Sequence, residues 1–324
     1  MHKTFCNVTD AWGEMPDIIR HHGIPSDSRN GKVYRFQEPF TMTINNPQDN
    51  LLINEKRMVN PTAVLMESLW VLAGRNDIRF LTRYLKNLAD YSDDGLTWRG
   101  AYGHRLRTHF GKDQIATAIM RLNYYKEDRR TVLSMWDPTM DLNTDNHWKD
   151  IPCNDMITLK VRDGKLDMTV FARGNDIVWG LLNVNVVEFT LLQQYIAAQL
   201  EIPVGKYNHV TDDLHMYEAT NNKDGGNAHV TLIPLDLFNE PGVFMHELKQ
   251  FMREHDNAWD DPAKDTLMDA TWKNNILNDA AHMVNAFMIY KDGSLSLAQA
   301  YLNDQEISPW LFATKFWYNN RKVK

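Results

Sequence analysis

At 324 residues and 43% hydrophobic, the chain can bury one large core or two ordinary ones, which excludes a disordered or low-complexity protein. Its formal net charge of -7 argues against broad binding to nucleic acid or a membrane surface, so an anionic ligand must be held by a local group of arginines, and the expected partner is a small molecule. Two distant cysteines, Cys6 and Cys153, make no disulfide framework, and no signal peptide or membrane-length apolar run is present; the reading is a cytoplasmic protein with reduced thiols.

Residues 1–32 are polar and punctuated by Pro16, Pro25 and Gly31, which predicts a loosely structured lead-in with room for one short helix. Val33 to Ile44 alternates apolar and polar residues as a strand or hairpin broken at Pro39. From Thr62 to Ala73 the apolar Val64, Leu65, Leu69 and Leu72 recur at helical spacing, with Pro61 in the first turn. This helix carries Glu67. A lone helical glutamate ordinarily faces water, yet its neighbours Leu65 and Met66 are apolar, and both orientations stay open at this level.

Ile78 to Leu88 reads as a second amphipathic helix ending in a polar turn at 91–95. In Gly100-Ala101-Tyr102-Gly103 the glycines would let backbone approach a ligand; otherwise Tyr102 is a packed loop aromatic. Gln114 to Tyr125 is predicted helical, Asp128-Arg129-Arg130 a charged turn, and Thr131 to Trp136 a short strand. Paired arginines before a strand usually face water.

Residues 151–185 concentrate the chemistry. Ile157, Leu159 and Val161 alternate with polar residues, Asp163-Gly164 suits a type I′ turn, and Leu166, Met168 and Val170 alternate again: a β-hairpin. Cys153 lies just before the first strand, behind Pro152, and Arg173 and Asp176 just after the second. Since a hairpin brings its outer ends together, thiol, guanidinium and carboxylate could line one pocket. By itself Cys153 could be a metal ligand, an inert buried thiol or a nucleophile; with no second cysteine or histidine-rich spacing nearby, a structural zinc site is disfavoured and no metal is expected. A free cysteine has a pKa near about 8.5, so a thiolate needs cationic help, for which Arg173 is the candidate.

Val186 to Leu200 is a long apolar helix, and Lys206 to Val210 a strand delivering His215 and Tyr217, two apart and so on one side. Residues 243–254, 263–290 and 294–319 read as helices with bulky Trp259, Trp272, Trp310 and Trp317. The expected organisation is one domain over 1–324, with a lead-in over about 1–32 and a helical C-terminal extension over about 222–324 that covers the catalytic half.

Pro152-Cys153 before a strand, Arg173-x-x-Asp176, Gly180-Leu181 and Asn185 ahead of a helix, and Asp213-x-His215-x-Tyr217 together resemble the thymidylate synthases and their nucleotide hydroxymethylase relatives. Glu67-x-Leu69-Trp70-x-Leu72-x-Gly74, Tyr102-Gly103 and Asp128-Arg129-Arg130 fall in the family's order upstream, so the resemblance runs from about Lys56 to Tyr217. It implies an α/β (α+β) fold, a mixed β-sheet covered by helices with a helical C-terminal part. It implies that Cys153 attacks C6 of a pyrimidine nucleoside monophosphate, making C5 nucleophilic toward the methylene of 5,10-methylenetetrahydrofolate. Glu67 is implied to move protons through ordered water, Tyr102 to hold that network, and Asp176 to serve catalysis and, with Glu67, the folate. Arg173, with Arg129 and Arg130 supplied by the second subunit of a homodimer, is implied to bind the 5′-phosphate, and His215 and Tyr217 the ribose hydroxyl. Arg29, in a mobile N-terminal loop, is implied as a further phosphate ligand.

Several positions depart from typical thymidylate synthases. Asn154 replaces the histidine after the cysteine, Ala172 and Gly174 flank the arginine in place of glutamine and serine, no clear counterpart of the folate-backing tryptophan is found, and the small-residue C-terminal lid is missing. These features look like the hydroxymethylase branch, in which water completes the one-carbon unit. The stretch Leu182-Asn183-Val184 is one residue longer than the family's; placing the surplus there puts Asn185 at the base-reading position, where asparagine goes with dUMP and aspartate with dCMP, while a gapless count puts Val184 there. Valine could bond neither base, so Asn185 and dUMP are preferred. The expectation is dUMP 5-hydroxymethylation, with true thymidylate synthase, dCMP hydroxymethylase and a catalytically silent nucleotide-binding member as alternatives.

Overall fold

The computed structural model describes residues 1–142, 147–220, 236–261 and 267–321. Its strands are β1 (His2–Phe5), β2 (Ile24–Ser28), β3 (Gly31–Arg35), β4 (Phe40–Ile44), β5 (Val132–Ser134), β6 (Asn154–Arg162), β7 (Lys165–Asp176) and β8 (Val204–Tyr217). Its helices are α1 (Val8–His22), α2 (Pro61–Leu72), α3 (Ile78–Thr82), α4 (Tyr102–His104), α5 (Gln114–Tyr124), α6 (Pro138–Asp141), α7 (Val186–Gln199), α8 (Pro241–Asp260), α9 (Asn275–Lys291), α10 (Leu295–Asn303) and α11 (Pro309–Asn319). The strands form one mixed sheet in the order β1-β4-β8-β7-β6-β5, with the β2–β3 hairpin joined to β8 through β3. The β7–β8 and β1–β4 pairs are parallel and the others antiparallel. No described helix is long and apolar enough to cross a membrane.

The hairpin of β6 and β7 turns at Asp163 and Gly164, both with positive φ (50° and 72°), as a type I′ turn requires. Its apolar Ile157, Leu159, Leu166, Met168 and Val170 point into the core. Helices α2 and α7 pack on each other and are buried nearly all round, the signature of central helices. Asn60 caps α2 and Pro61 opens it.

Four expectations are corrected. The lead-in over 1–32 is ordered: β1 pairs with β4, and Val8, Ala11, Trp12, Met15 and Ile19 bury one face of α1, which is capped by Asn7 and runs through Pro16. The helix expected over Ile78 to Leu88 stops at Thr82 and gives way to a 3₁₀ turn at Lys86–Tyr91, with Leu85 extended between them, as Phe80 and Tyr84 pack on His255 of α8. Helix α9 begins only at Asn275, because the Glu247 carboxylate captures the backbone N–H groups of Lys273 and Asn274 at 2.9 and 3.3 Å. The run over 294–319 splits into α10 and α11 at Ser308, which precedes Pro309 and caps α11. Residues 222–235, 262–266 and 322–324 of the expected extension lie outside the described residues.

Candidate active site

The outer ends of the β6–β7 hairpin meet, as its register demands. The Arg173 backbone N–H donates to the Cys153 carbonyl at 3.0 Å, and Arg173 Nη2 lies 3.7 Å from Cys153 Sγ. The guanidinium is oriented by the carbonyls of Pro152 (2.8 Å, from Nε) and Ile151 (3.0 Å, from Nη2). Burial pushes the Cys153 thiol above its ordinary value; Arg173 and then Arg29 oppose this, while Asp150 and Asp155 add to it. Arg173 is thus the largest influence drawing the thiol toward the thiolate, though desolvation outweighs it.

Behind the cysteine, Asn154 is fully buried and its Nδ2 donates to Tyr102 Oη at 2.9 Å. Burial and then the Cys153 and Glu188 charges keep the Tyr102 phenol protonated, with its pKa well above the ordinary value. The flanking glycines serve packing: a Cβ on Gly103 would meet the Val71 carbonyl oxygen of α2 at 2.2 Å, and one on Gly100 the Pro152 nitrogen at 3.0 Å.

Glu67 is the one residue of α2 that is only half-buried, so it marks where the helix opens to the site. Desolvation pushes its carboxyl up to about 7. A second carboxyl from α7, Glu188, is buried nearby and raised well above its ordinary range by burial and then by Glu67. Sequence reasoning missed Glu188, although a lone carboxylate inside the apolar VVEFTLLQQYIAAQ was a visible signal.

Asp176 ends β7 in register with His215 of β8 and caps the next segment by accepting from the N–H groups of Val178 (3.1 Å) and Trp179 (2.6 Å). The Tyr217 backbone N–H and His215 also lie beside its carboxylate, and its buried Oδ1 makes no hydrogen bond of good geometry among the described residues. The capped segment, Ile177–Asn185, winds as a π-helix kinked at Leu182. A π-turn takes up one more residue than an α-turn, and Asn185 is the residue immediately before α7. Asn185 is buried and bonded to Asn175 and Glu188. Arg57, also missed, donates to the Val178 carbonyl and stacks on Trp179, 4.5 Å from the ring centroid. Burial lowers its pKa to about 10, partly offset by Asp176.

His215 and Tyr217 stand side by side at the end of β8, their rings 5.4 Å apart. Arg29 sits at the tip of the β2–β3 hairpin rather than in a mobile loop, since β3 pairs with β8. Arg129 and Arg130 are exposed, away from this cluster, on a turn fixed by buried Asp128. Among the described residues no group of three or more histidines, cysteines or carboxylates is placed to hold a metal. Beside the π-segment, a narrow cleft of about 30 Å³ is lined by Leu52, Met58, Val64, Leu182, Asn183 and, from α11, Trp310.

A sequence model of the family described as thymidylate synthase matches residues 11–258. The chain belongs to the thymidylate synthase family. Among its relatives, a deoxyuridylate hydroxymethyltransferase of Pseudomonas phage M6 is 41% identical over 239 residues, 74% of this chain and 68% of the relative. A deoxyuridylate hydroxymethyltransferase of Bacillus phage SP01 is 30% identical over 282 residues, 78% of this chain and 73% of the relative. A putative thymidylate synthase of Methanothermobacter marburgensis is 28% identical over 216 residues, 65% of this chain and 91% of the relative. Its membership in the thymidylate synthase family accounts for the mixed sheet and covering helices, and the C-terminal helix α11 packs on α2, which carries Glu67.

Proposed function

We propose that the chain hydroxymethylates dUMP at C5, using methylenetetrahydrofolate as the one-carbon donor. The observation that carries this reading is the likeness to relatives named deoxyuridylate hydroxymethyltransferases, on a chain whose thiol and guanidinium meet at the mouth of one hairpin. Cys153 forms the S–C6 bond, and its thiol proton passes to solvent as the bond forms. A carboxyl near about 7 is half-protonated at neutral pH, which suits Glu67 to both give and take protons. Arg173 and Arg29 hold the 5′-phosphate, His215 and Tyr217 the ribose, and Asn185 the base edge.

Methylenetetrahydrofolate supplies the electrophilic carbon when bound. The buried Asp176 Oδ1, which has no hydrogen bond of good geometry, is an acceptor suited to an N–H of a pterin, so this residue fits such a group. Asp176 would orient it, and Glu67 would serve the proton traffic beside it.

A homodimer completes the phosphate site in this reading. Thr41, Val210, Phe171 and Met156 form one cross-strand row on a sheet face that is only half covered, which supports a second copy packing there and lending Arg129 and Arg130. Product analysis tests the function: dUMP and methylenetetrahydrofolate should give a 5-hydroxymethyl nucleotide and tetrahydrofolate. A 5-methyl nucleotide with stoichiometric dihydrofolate would instead make the chain a thymidylate synthase, and no product from dUMP or dCMP would remove the enzyme reading.

A further inference from the structure

Asn185 belongs to a buried row of polar side chains running from β8 to α7. Its Oδ1 accepts from Asn175 Nδ2 at 3.0 Å, and its Nδ2 donates to Glu188 Oε2 at 3.3 Å. Asn175 Nδ2 also lies 3.4 Å from His209 Nε2, and His209 Nδ1 lies 2.8 Å from Tyr207 Oη. Tyr207, His209, Asn175, Asn185 and Glu188 are all buried. Burial lowers the His209 pKa to about 3, so the ring is neutral; Nε2 offers a lone pair to Asn175 and Nδ1–H donates to Tyr207.

The polarity of the row is set at both ends of Asn185. A Cβ on Gly180 would stand 2.0 Å from Asn175 Oδ1, so that oxygen lies directly over the glycine Cα. A carbonyl oxygen tolerates Cα hydrogens there, whereas an NH₂ group turned to the same place would set N–H against C–H. Asn175 therefore presents its NH₂ to Asn185. On the other side, the Glu188 carboxyl offers an oxygen to the Asn185 NH₂ whether neutral or ionised.

With these two bonds made, the Asn185 amide keeps one lone pair on Oδ1 and one hydrogen on Nδ2. That pair is the complement of N3–H and O4 of uracil. Cytosine, with N3 as acceptor and N4 as donor, needs the amide turned over, which breaks both supporting bonds at once.

We propose that Asn175 and Glu188 are positioning residues that hold the Asn185 amide in the orientation that reads uracil, so that discrimination against cytosine is built behind the residue facing the base. The inference rests on the reading of this site as one for dUMP.

Dissociation constants for dUMP and dCMP, measured by titration calorimetry on the full chain, test it in wild type, Asn175→Leu, Glu188→Met and Glu188→Gln. The apolar replacements release the amide, and the dCMP-to-dUMP ratio of dissociation constants should fall about tenfold in each, the equivalent of one net hydrogen bond. Glu188→Gln retains a side-chain carbonyl for Asn185, so this variant should keep the wild-type ratio. An unchanged ratio in both apolar variants, or equal weakening of both nucleotides in them, overturns the proposal; if one apolar variant does not fold, the other decides by the same ratio. Product analysis on the wild-type sample stands apart: failure to form a 5-hydroxymethyl product removes the proposed reaction without altering the binding ratio. A wild type that binds dCMP as tightly as dUMP removes the inference.

Discussion

Arg173 Nη2 stands 3.7 Å from Cys153 Sγ, across the open end of a hairpin whose turn lies at residues 163 and 164. The guanidinium is held by two backbone carbonyls, so it stays in place whether or not the thiol is charged. The two side chains therefore separate cleanly by mutation. Cys153→Ser should abolish product formation while dUMP still binds with nearly wild-type affinity, because sulfur contributes the covalent step rather than ground-state attraction. Turnover measured beside calorimetric affinity checks this; residual turnover near wild type would dismiss Cys153 as nucleophile.

Arg173→Ala should do the opposite first. Loss of a charge-assisted contact to phosphate should raise the dUMP dissociation constant roughly 10- to 100-fold. An unchanged constant would move the phosphate site elsewhere.

Glu67 links activity to pH. Burial raises its pKa from 4.5 to about 7 in the folded chain, so the folded state holds a proton that the unfolded state has released over that window. Stability contributed through this group accordingly falls as pH rises from 4.5 to about 7. Glu67→Gln removes the dependence: its melting temperature should exceed that of wild type at about pH 8 and approach it below about pH 4.5. In activity, the wild-type kcat/KM profile should bend near about 7, and the bend should vanish in the residual activity of the variant. Parallel melting curves across the range would contradict the raised Glu67 carboxyl.

Asn185→Asp should shift the preference from dUMP toward dCMP, since an ionised carboxylate accepts but does not donate, and cytosine presents the N4 donor. The comparison is kcat/KM for both nucleotides in both proteins. Wild type preferring dCMP would overturn Asn185 as the uracil reader.

Shared sites predict complementation. Cys153→Ser and the Arg129→Ala/Arg130→Ala double variant should each be impaired alone. If they are mixed and allowed to exchange subunits, half of the dimers are hybrid and one of their two sites is intact, so about a quarter of wild-type activity should return. No recovery despite proven exchange would place the arginines outside the partner's site.

The sequence by itself determined the elements whose cause is local. The β6–β7 hairpin follows from alternation and Asp163-Gly164, α2 from its apolar spacing with Asn60 and Pro61, α5 from periodicity and α7 from its long apolar run. Because hairpin geometry is itself local, the meeting of Cys153 and Arg173 was legible too. Tertiary structure decided what depends on distant partners. Glu247 sets where α9 starts, and His255 gathers the aromatics that end α3. Folding also wound residues 177–185 as a π-segment, closed Gly103 onto α2, and left Glu67 as the single opening in a buried helix. Above all, His209, Asn175, Asn185 and Glu188 come from two strands and a helix and are drawn into one row because each buried polar group must find a partner, a requirement that only the packed core imposes.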